Sequence, residues 1–320
     1  YYHCLLLLTA LLFGLVSCSE KPSPDQSEKL IRAADAEITG IARRLAETNG
    51  LEALRKVYDL EGIGSILMQQ SGGTKNILIN QGPDSSTKKK IRVVTTPEGY
   101  LQITFPYHFK NDTLATFTLT SWKTEKSILI NDFPTSYSCN IFTSSGVKLL
   151  DIEYKARLKH QLPESYSFVA RSGGFVVQSD LKTHFRKKNS NIRLNFSIAE
   201  DGQTKIKTRI HSMVELASDG SILFGRKNIS FEAFPVVVDA RSESGYHNYD
   251  PTHFVRDFNA AHRIIIYDHA SNHLGSIRLA EKPGKDYINP VVTLNNGRDF
   301  EIEELMMSVR QLLRMKLYNL

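Results

Sequence analysis

The alternation of apolar and polar residues divides the chain into a helical beginning, a long β-rich body and a helical end. Near the start, apolar residues recur at helical spacing, which predicts a helix over residues 28–48 that Ser27 caps and Asn49-Gly50 ends. A shorter helix is predicted over residues 51–60. One apolar face also recurs over residues 300–317, which predicts an amphipathic helix at the end of the sequence.

Short β-prone runs, separated by Gly, Asn, Asp and Ser, fill the sequence between these helices. We therefore expect an α+β fold with a long N-terminal helix, an antiparallel β-rich body and a C-terminal amphipathic helix. Residues 28–320 are expected to form the globular domain, and a division into two subdomains near residues 155–165 is left open. The predicted strands are 76–80, 90–95, 100–105, 113–119, 137–142, 147–154, 166–170, 175–178, 192–198, 204–211, 222–226, 234–238, 263–267 and 276–280.

Three segments share one local pattern, in which an apolar strand, a polar turn with Gly and a second apolar strand follow each other. They are residues 140–151, 214–225 and 264–279, and their unequal spacing disfavours a propeller or a solenoid. Together with the long preceding helix, this pattern resembles Cache and PAS-type extracytoplasmic sensor domains. The resemblance implies a PAS/Cache-like body in which strands from residues 100–122 flank a ligand pocket.

Residues 5–16 form an uncharged, mainly aliphatic run that is shorter than the about 20 residues of a spanning helix. The run ends in Leu15, Val16, Ser17 and Cys18, and this tetrapeptide resembles the lipobox of bacterial lipoproteins. The resemblance implies that residues 1–17 are a signal peptide and that Cys18 becomes the lipid-carrying first residue of the mature protein. The same resemblance implies that Ser19, which follows Cys18, directs the lipoprotein to the outer membrane.

The beginning of the sequence lacks the Met and the basic region of a signal peptide, so we expect the signal peptide to be truncated. With a longer apolar stretch upstream, the segment would instead be an uncleaved transmembrane helix. Residues 18–27 are expected to be the lipidated cysteine and a short polar tether. These features predict a periplasm-facing lipoprotein of the cell envelope whose membrane contact is its lipid anchor.

Composition narrows the classes of function. The chain has 320 residues and a formal net charge of +6, which is a mild excess and does not indicate a nucleic-acid-binding protein. Cys4 lies in the predicted signal peptide and Cys18 is the predicted lipidation site, so Cys139 remains alone and a disulfide framework is excluded. The basic runs at residues 88–90 and 184–188 suit lipid headgroups or a polyanionic polymer, but each is also typical of a solvated loop.

Histidine, aspartate and aromatic residues are concentrated in residues 245–273. Imidazole and carboxylate groups together suit zinc or a similar cation, although the spacings match no metal motif. A polar surface loop is the alternative interpretation, and a surface for a small ligand is another. The candidate ligand-binding residues are Tyr246, His247, Tyr249, Asp250 and His253, and the candidate metal ligands are His247, His253 and His262.

The sequence contains no nucleophile elbow, no HExxH motif and no phosphate-binding loop, and it identifies no cofactor. We therefore expect a non-enzymatic, sensor-like envelope lipoprotein that binds a small ligand or an envelope protein partner and not nucleic acid. One alternative is a metal-dependent envelope hydrolase that uses the histidine cluster. Another is the extracytoplasmic half of a membrane-spanning receptor.

Overall fold

One antiparallel sheet of sixteen strands dominates the fold of this chain in a computed structural model. Every strand pairs with its neighbours in sequence, so the sheet order is β1 to β16 without a crossover. The structure describes residues 22–58, 73–80, 88–95, 101–108, 113–128, 133–186, 190–216, 222–242, 253–281 and 289–306.

The strands are short at the two edges of the sheet and long in the middle. The first eight are β1 Gly73–Asn80, β2 Lys88–Thr95, β3 Leu101–His108, β4 Thr113–Glu125, β5 Phe133–Thr143, β6 Lys148–Lys159, β7 Leu162–Ser172 and β8 Phe175–His184. The other eight are β9 Ser190–Glu200, β10 Gln203–Leu216, β11 Ile222–Ala233, β12 Val236–Ser242, β13 His262–Asp268, β14 His273–Ala280, β15 Asn289–Leu294 and β16 Asp299–Glu301.

The predicted fold class is wrong. An α+β fold with a PAS/Cache-like body requires a small sheet and a helical C-terminal element, whereas a single sheet runs through sixteen strands here. At the expected C-terminal helix, residues 299–301 form β16 and only Ile302–Leu305 are helical. The rest of the predicted helix, residues 307–320, lies outside the described residues. The three strand–turn–strand segments are hairpins of one continuous meander.

In the part of the chain that the structure describes, two helices precede the sheet. The first, α1, spans Pro24–Ala46, and the second, α2, spans Asn49–Tyr58. Ser23 caps α1, because its side-chain Oγ accepts a hydrogen bond from the backbone N–H of Gln26 at 3.2 Å. The helix therefore begins four residues before the predicted start, with Pro24 at its first position. None of the described helices has both the length and the apolar character needed to cross a bilayer.

The sheet has two chemically different faces. Side chains alternate along each strand, and directly paired residues of neighbouring strands point to the same side. Ile206, Ala233 and Val236 lie on the side that packs against α1, which we call the inner face. The side chains at the intervening positions form the outer face, and from β6 to β13 most of them are polar or charged.

Three buried clusters join the helices to the inner face. Residues of α2 pack on β3 to β6 around Ile103, Phe105 and Ile141. The N-terminal half of α1 packs on β12 to β15 around Ile31 and Leu274. The C-terminal half of α1 contributes Ile41 to a smaller cluster with Phe175, Ile206 and Ala233. The two helices thus run across the strands and fasten separate parts of the sheet together.

Polar contacts fix both helices near one end of the strands, where the turns joining β7–β8, β9–β10 and β15–β16 lie. We call this the near end of the sheet. Asn295 donates a hydrogen bond to the carbonyl oxygen of Pro22 at 2.8 Å. Arg44 donates two hydrogen bonds of 2.8 Å to the carboxylate of Glu200, and these bonds lower the pKa of that carboxyl group. Ser172 donates to Thr48 at 2.7 Å.

Candidate anion-binding groove

His253 and His262, the two predicted metal ligands among the described residues, do not converge. His253 precedes a third helix, α3, which spans Phe254–Ala261, and His262 follows it. At 1.5 Å per residue, this places the two backbones roughly 13 Å apart. The ring of His262 instead stacks on Phe258 with centroids 4.2 Å apart. Among the described residues, no three His, Cys, Asp or Glu side chains are close enough together to hold a metal ion.

The rest of the predicted ligand surface divides between a hairpin turn and residues outside the described ranges. Asp268 closes the β13–β14 turn, since its carboxylate accepts hydrogen bonds of 2.8 Å from the backbone and side-chain amides of Asn272. His269 lies against Phe234, and His273 meets the edge of Tyr267. Four predicted ligand residues lie outside the described ranges, namely Tyr246, His247, Tyr249 and Asp250.

Cys139 is a buried residue of the inner face, in the cluster beneath α2. Its burial, with a smaller contribution from Asp151, raises the pKa of the thiol to about 11. A thiol with this pKa is almost entirely protonated at neutral pH, and the thiolate is the nucleophilic form. Cys139 therefore serves as a small buried residue of the core.

The outer face carries a shallow groove of about 600 Å³ over β9 to β12. Most of its lining residues are polar or charged, because residues at outward positions of four consecutive strands meet there. It merges along β12 and β13 with a smaller depression of about 110 Å³ that Arg241 and Arg263 share. The polar residues of the main groove are Arg193, Asn195, Arg209, His211, Asn228, Ser230, Asp239 and Arg241.

Positive charge dominates the groove. Arg209 is neutralised by a hydrogen-bonded ion pair with Glu232. By contrast, Arg193 and Arg241 form no ion pair with another described residue and are exposed. Asp239 is the carboxylate in the lining, and it lies two positions from Arg241 on the same strand. Amide and hydroxyl groups from β9 to β11 surround the two guanidinium groups and supply further donors.

The strand register extends this charge well beyond the groove. One line of outward-facing residues crosses the sheet from β6 to β13, and each member of the line is directly opposite the next member on the neighbouring strand. We call this line the basic row. It consists of Arg157, Ser165, Lys182, Arg193, His211, Asn228, Arg241 and Arg263, and it contains no carboxylate.

The basic row places like charges opposite each other twice. Lys182 is opposite Arg193, and Arg241 is opposite Arg263. Such pairs are unfavourable, whereas an opposite-charge pair at the same positions would stabilise the sheet by about 0.2–1 kcal/mol. The nearest acidic positions in this part of the sheet are Asp180 and Asp239 in the neighbouring line of residues. Repulsion of this kind suits a surface that an anionic ligand neutralises.

The groove offers binding rather than covalent chemistry. Arginine guanidinium groups form bidentate, charge-assisted hydrogen bonds with carboxylate, phosphate and sulfate groups. The groove lining contains no cysteine and no serine–histidine hydrogen bond. Its histidine, His211, forms no ion pair or hydrogen bond with another described residue. Anchored cations and neutral donors on rigid strands are the features of an anion-binding surface.

Sequence reasoning missed this site because its residues are scattered. Arg193 and Arg241 are 48 positions apart, and neither belongs to a basic run. The signal available in the sequence is one basic residue at an outward position in each of several predicted strands. Comparison of the chain with protein-family models, curated proteins and solved structures gives no match.

Proposed function

We propose that this protein is a lipid-anchored, non-enzymatic binding protein of the cell envelope and that its outer groove takes an anionic ligand. The observation that carries the proposal is the pair of exposed, unneutralised guanidinium groups of Arg193 and Arg241 in one groove. Coulombic attraction and bidentate hydrogen bonds to an anion would replace the repulsion between neighbouring cations.

The anchor follows from residues 15–18 and fits the position of α1. Pro22 is held against Asn295 at the near end of the sheet, and only three residues separate it from Cys18. A lipid on Cys18 would therefore hold the near end close to the bilayer. The groove lies on the outer face, across the middle of β10 and β11, which is the side of the sheet opposite to α1.

Replacing Cys18 tests the anchor. We expect Cys18→Ser to abolish acylation and to leave an uncleaved precursor, because only the thiol can form the thioether to the lipid. The chain is expressed with a Met and a basic region ahead of Tyr1, and fatty-acid labelling and gel mobility are measured. Ser19→Ala is the matched control and should be acylated as in the wild type. Normal cleavage and labelling of Cys18→Ser would refute the anchor.

A double substitution in the groove tests anion binding. We expect Arg193→Gln with Arg241→Gln to weaken binding of short anions at least about tenfold, which corresponds to about 1.4 kcal/mol. The probes are trigalacturonate and inorganic pyrophosphate, titrated by calorimetry into the purified protein at low salt. These two arms distinguish a carboxylate ligand from a phosphate ligand.

The control for the double substitution removes the same charge elsewhere. Arg43→Gln with Arg55→Gln changes two exposed arginines of α1 and α2 and should leave the affinity within about twofold of the wild type. If neither probe binds, or if both double variants bind equally well, the groove is not an anion site. Recovery of chemically altered probe after incubation would contradict the non-enzymatic assignment.

A further inference from the structure

We propose that the natural ligand of the groove is a linear acidic polysaccharide that lies along the whole basic row. This inference rests on the proposed function and adds the length and chemistry of the ligand. Seven steps between neighbouring strands separate Arg157 from Arg263, and at about 4.8 Å per step the row is roughly 34 Å long. A small anion would contact only its middle.

The order of residues within the row suits a charged sugar chain. Cationic side chains are interrupted by Ser165 and Asn228, which can hydrogen-bond hydroxyl groups between successive carboxylates. A single-stranded nucleic acid is bound by stacking its bases on aromatic side chains. The row has only the imidazole of His211 for that purpose, so its cations together with the neutral hydrogen-bonding side chains of Ser165 and Asn228 favour a polysaccharide.

The twist of the sheet argues against a flat anionic surface. A sheet with the usual twist of about 20° per strand turns its outward direction by roughly 140° over seven steps. A planar bilayer cannot contact both ends of a row that is twisted to this degree, whereas a flexible chain can follow it. The row also lies away from the near end. On β9, Arg193 precedes the turn residue Asp201 by eight positions, or about 26 Å along the strand.

Open access along the row supports a ligand that extends beyond the groove. Arg157 and Lys182, which lie outside the groove, are exposed and form no ion pair with another described residue. At the other end, Arg263 is exposed and lines the smaller depression beside Arg241. A chain could therefore pass from β6 to β13 without displacing an existing ion pair of these residues.

The dependence of affinity on chain length tests the inference. A galacturonate trimer is shorter than the row, and a dodecamer exceeds it. We expect the dodecamer to bind the wild-type protein about thirtyfold more tightly than the trimer, with a steeper loss of affinity as salt increases. A fully methyl-esterified dodecamer keeps most of the hydroxyl groups, lacks the charge and should not bind.

A second variant tests the contribution of the part of the basic row that lies outside the groove. Arg157→Gln with Lys182→Gln should weaken dodecamer binding about tenfold and trimer binding by no more than about threefold, since the trimer occupies the groove and only Lys182 of these two residues is on the strand next to it. Arg43→Gln with Arg55→Gln is again the charge-matched control. These substitutions are on exposed side chains, and circular dichroism with thermal melting checks that each variant is folded.

Each outcome distinguishes this inference from the proposed function. Equal affinity for trimer and dodecamer, or no effect of Arg157→Gln with Lys182→Gln, would overturn the extended site while the groove stands. Loss of all binding by both oligomers would overturn both. Tighter binding of single-stranded DNA, or of vesicles containing phosphatidylglycerol, than of the dodecamer would replace the polysaccharide with that ligand.

Discussion

Gly50→Ala is expected to destabilise the protein by about 2–3 kcal/mol, although alanine is the better helix former. Gly50 is buried at the start of α2, where the helix meets β6 and β7. A Cβ atom there would lie 2.1 Å from the carbonyl oxygen of Leu149 and 2.4 Å from Oγ of Ser172. Because the closer atom belongs to the backbone of a paired strand, α2 must move away from the sheet.

Thermal unfolding monitored by circular dichroism measures this effect, and we expect the midpoint to fall by roughly 4–12 °C. Gly40→Ala in α1 is the matched control. Its Cβ would meet only Nη1 of Arg44, at 3.1 Å, which is the guanidinium nitrogen that does not bond to Glu200. That substitution should be neutral or stabilise the protein by up to about 1 kcal/mol. If both variants unfold at the wild-type midpoint, α2 does not approach β6 this closely.

Ile41→Ala is expected to cost about 3 kcal/mol of unfolding free energy, within the range of 2–5 kcal/mol found for such core truncations. Ile41 is completely buried and is the residue of α1 at the centre of the cluster with Phe175, Ile206 and Ala233. The cluster is small, and three of its members belong to strands whose positions the ladder fixes. The cavity left by the lost atoms therefore cannot collapse easily.

Denaturant unfolding measures the cost, with Ile41→Val as a graded control that should lose only about 0.5–1.5 kcal/mol. Lys29→Ala, on the exposed side of the same helix, should stay within about 0.5 kcal/mol of the wild type. Equal stabilities for Ile41→Ala and Lys29→Ala would show that the C-terminal half of α1 is not packed on the sheet.

Local sequence patterns predict which strands and helices are present better than they predict the residues at which the helices begin and end. Each of the fourteen predicted strands overlaps an observed strand, because alternation and turn residues are local properties. Asn49-Gly50 was interpreted as a helix stop, but Gly50 lies inside α2, where close packing requires it. Ser23 and Pro24 together are typical of the start of a helix. This start is not predicted, because residues 18–27 are assigned to a tether.

The pairing of the strands could not be predicted, and the fold class was wrong for this reason. A sequence pattern identifies each strand but does not determine whether strands close into small sheets or join one long meander. The strand β15 was also missed, since its apolar run follows Asn289-Pro290 and is short. The basic row depends on register across eight strands, so alternation within any one strand could not reveal it.

The attachment of the basic row to paired strands has an entropic consequence. Its residues from β7 to β12 belong to strands that are hydrogen-bonded on both sides, and α1 packs on the inner face of β8 to β12 toward the near end of the sheet. Binding would therefore order side chains and ligand but little of the protein backbone, and fixing each long cationic side chain costs at most about 2 kcal/mol. Such a surface can release and rebind one segment of a bound chain at a time without refolding.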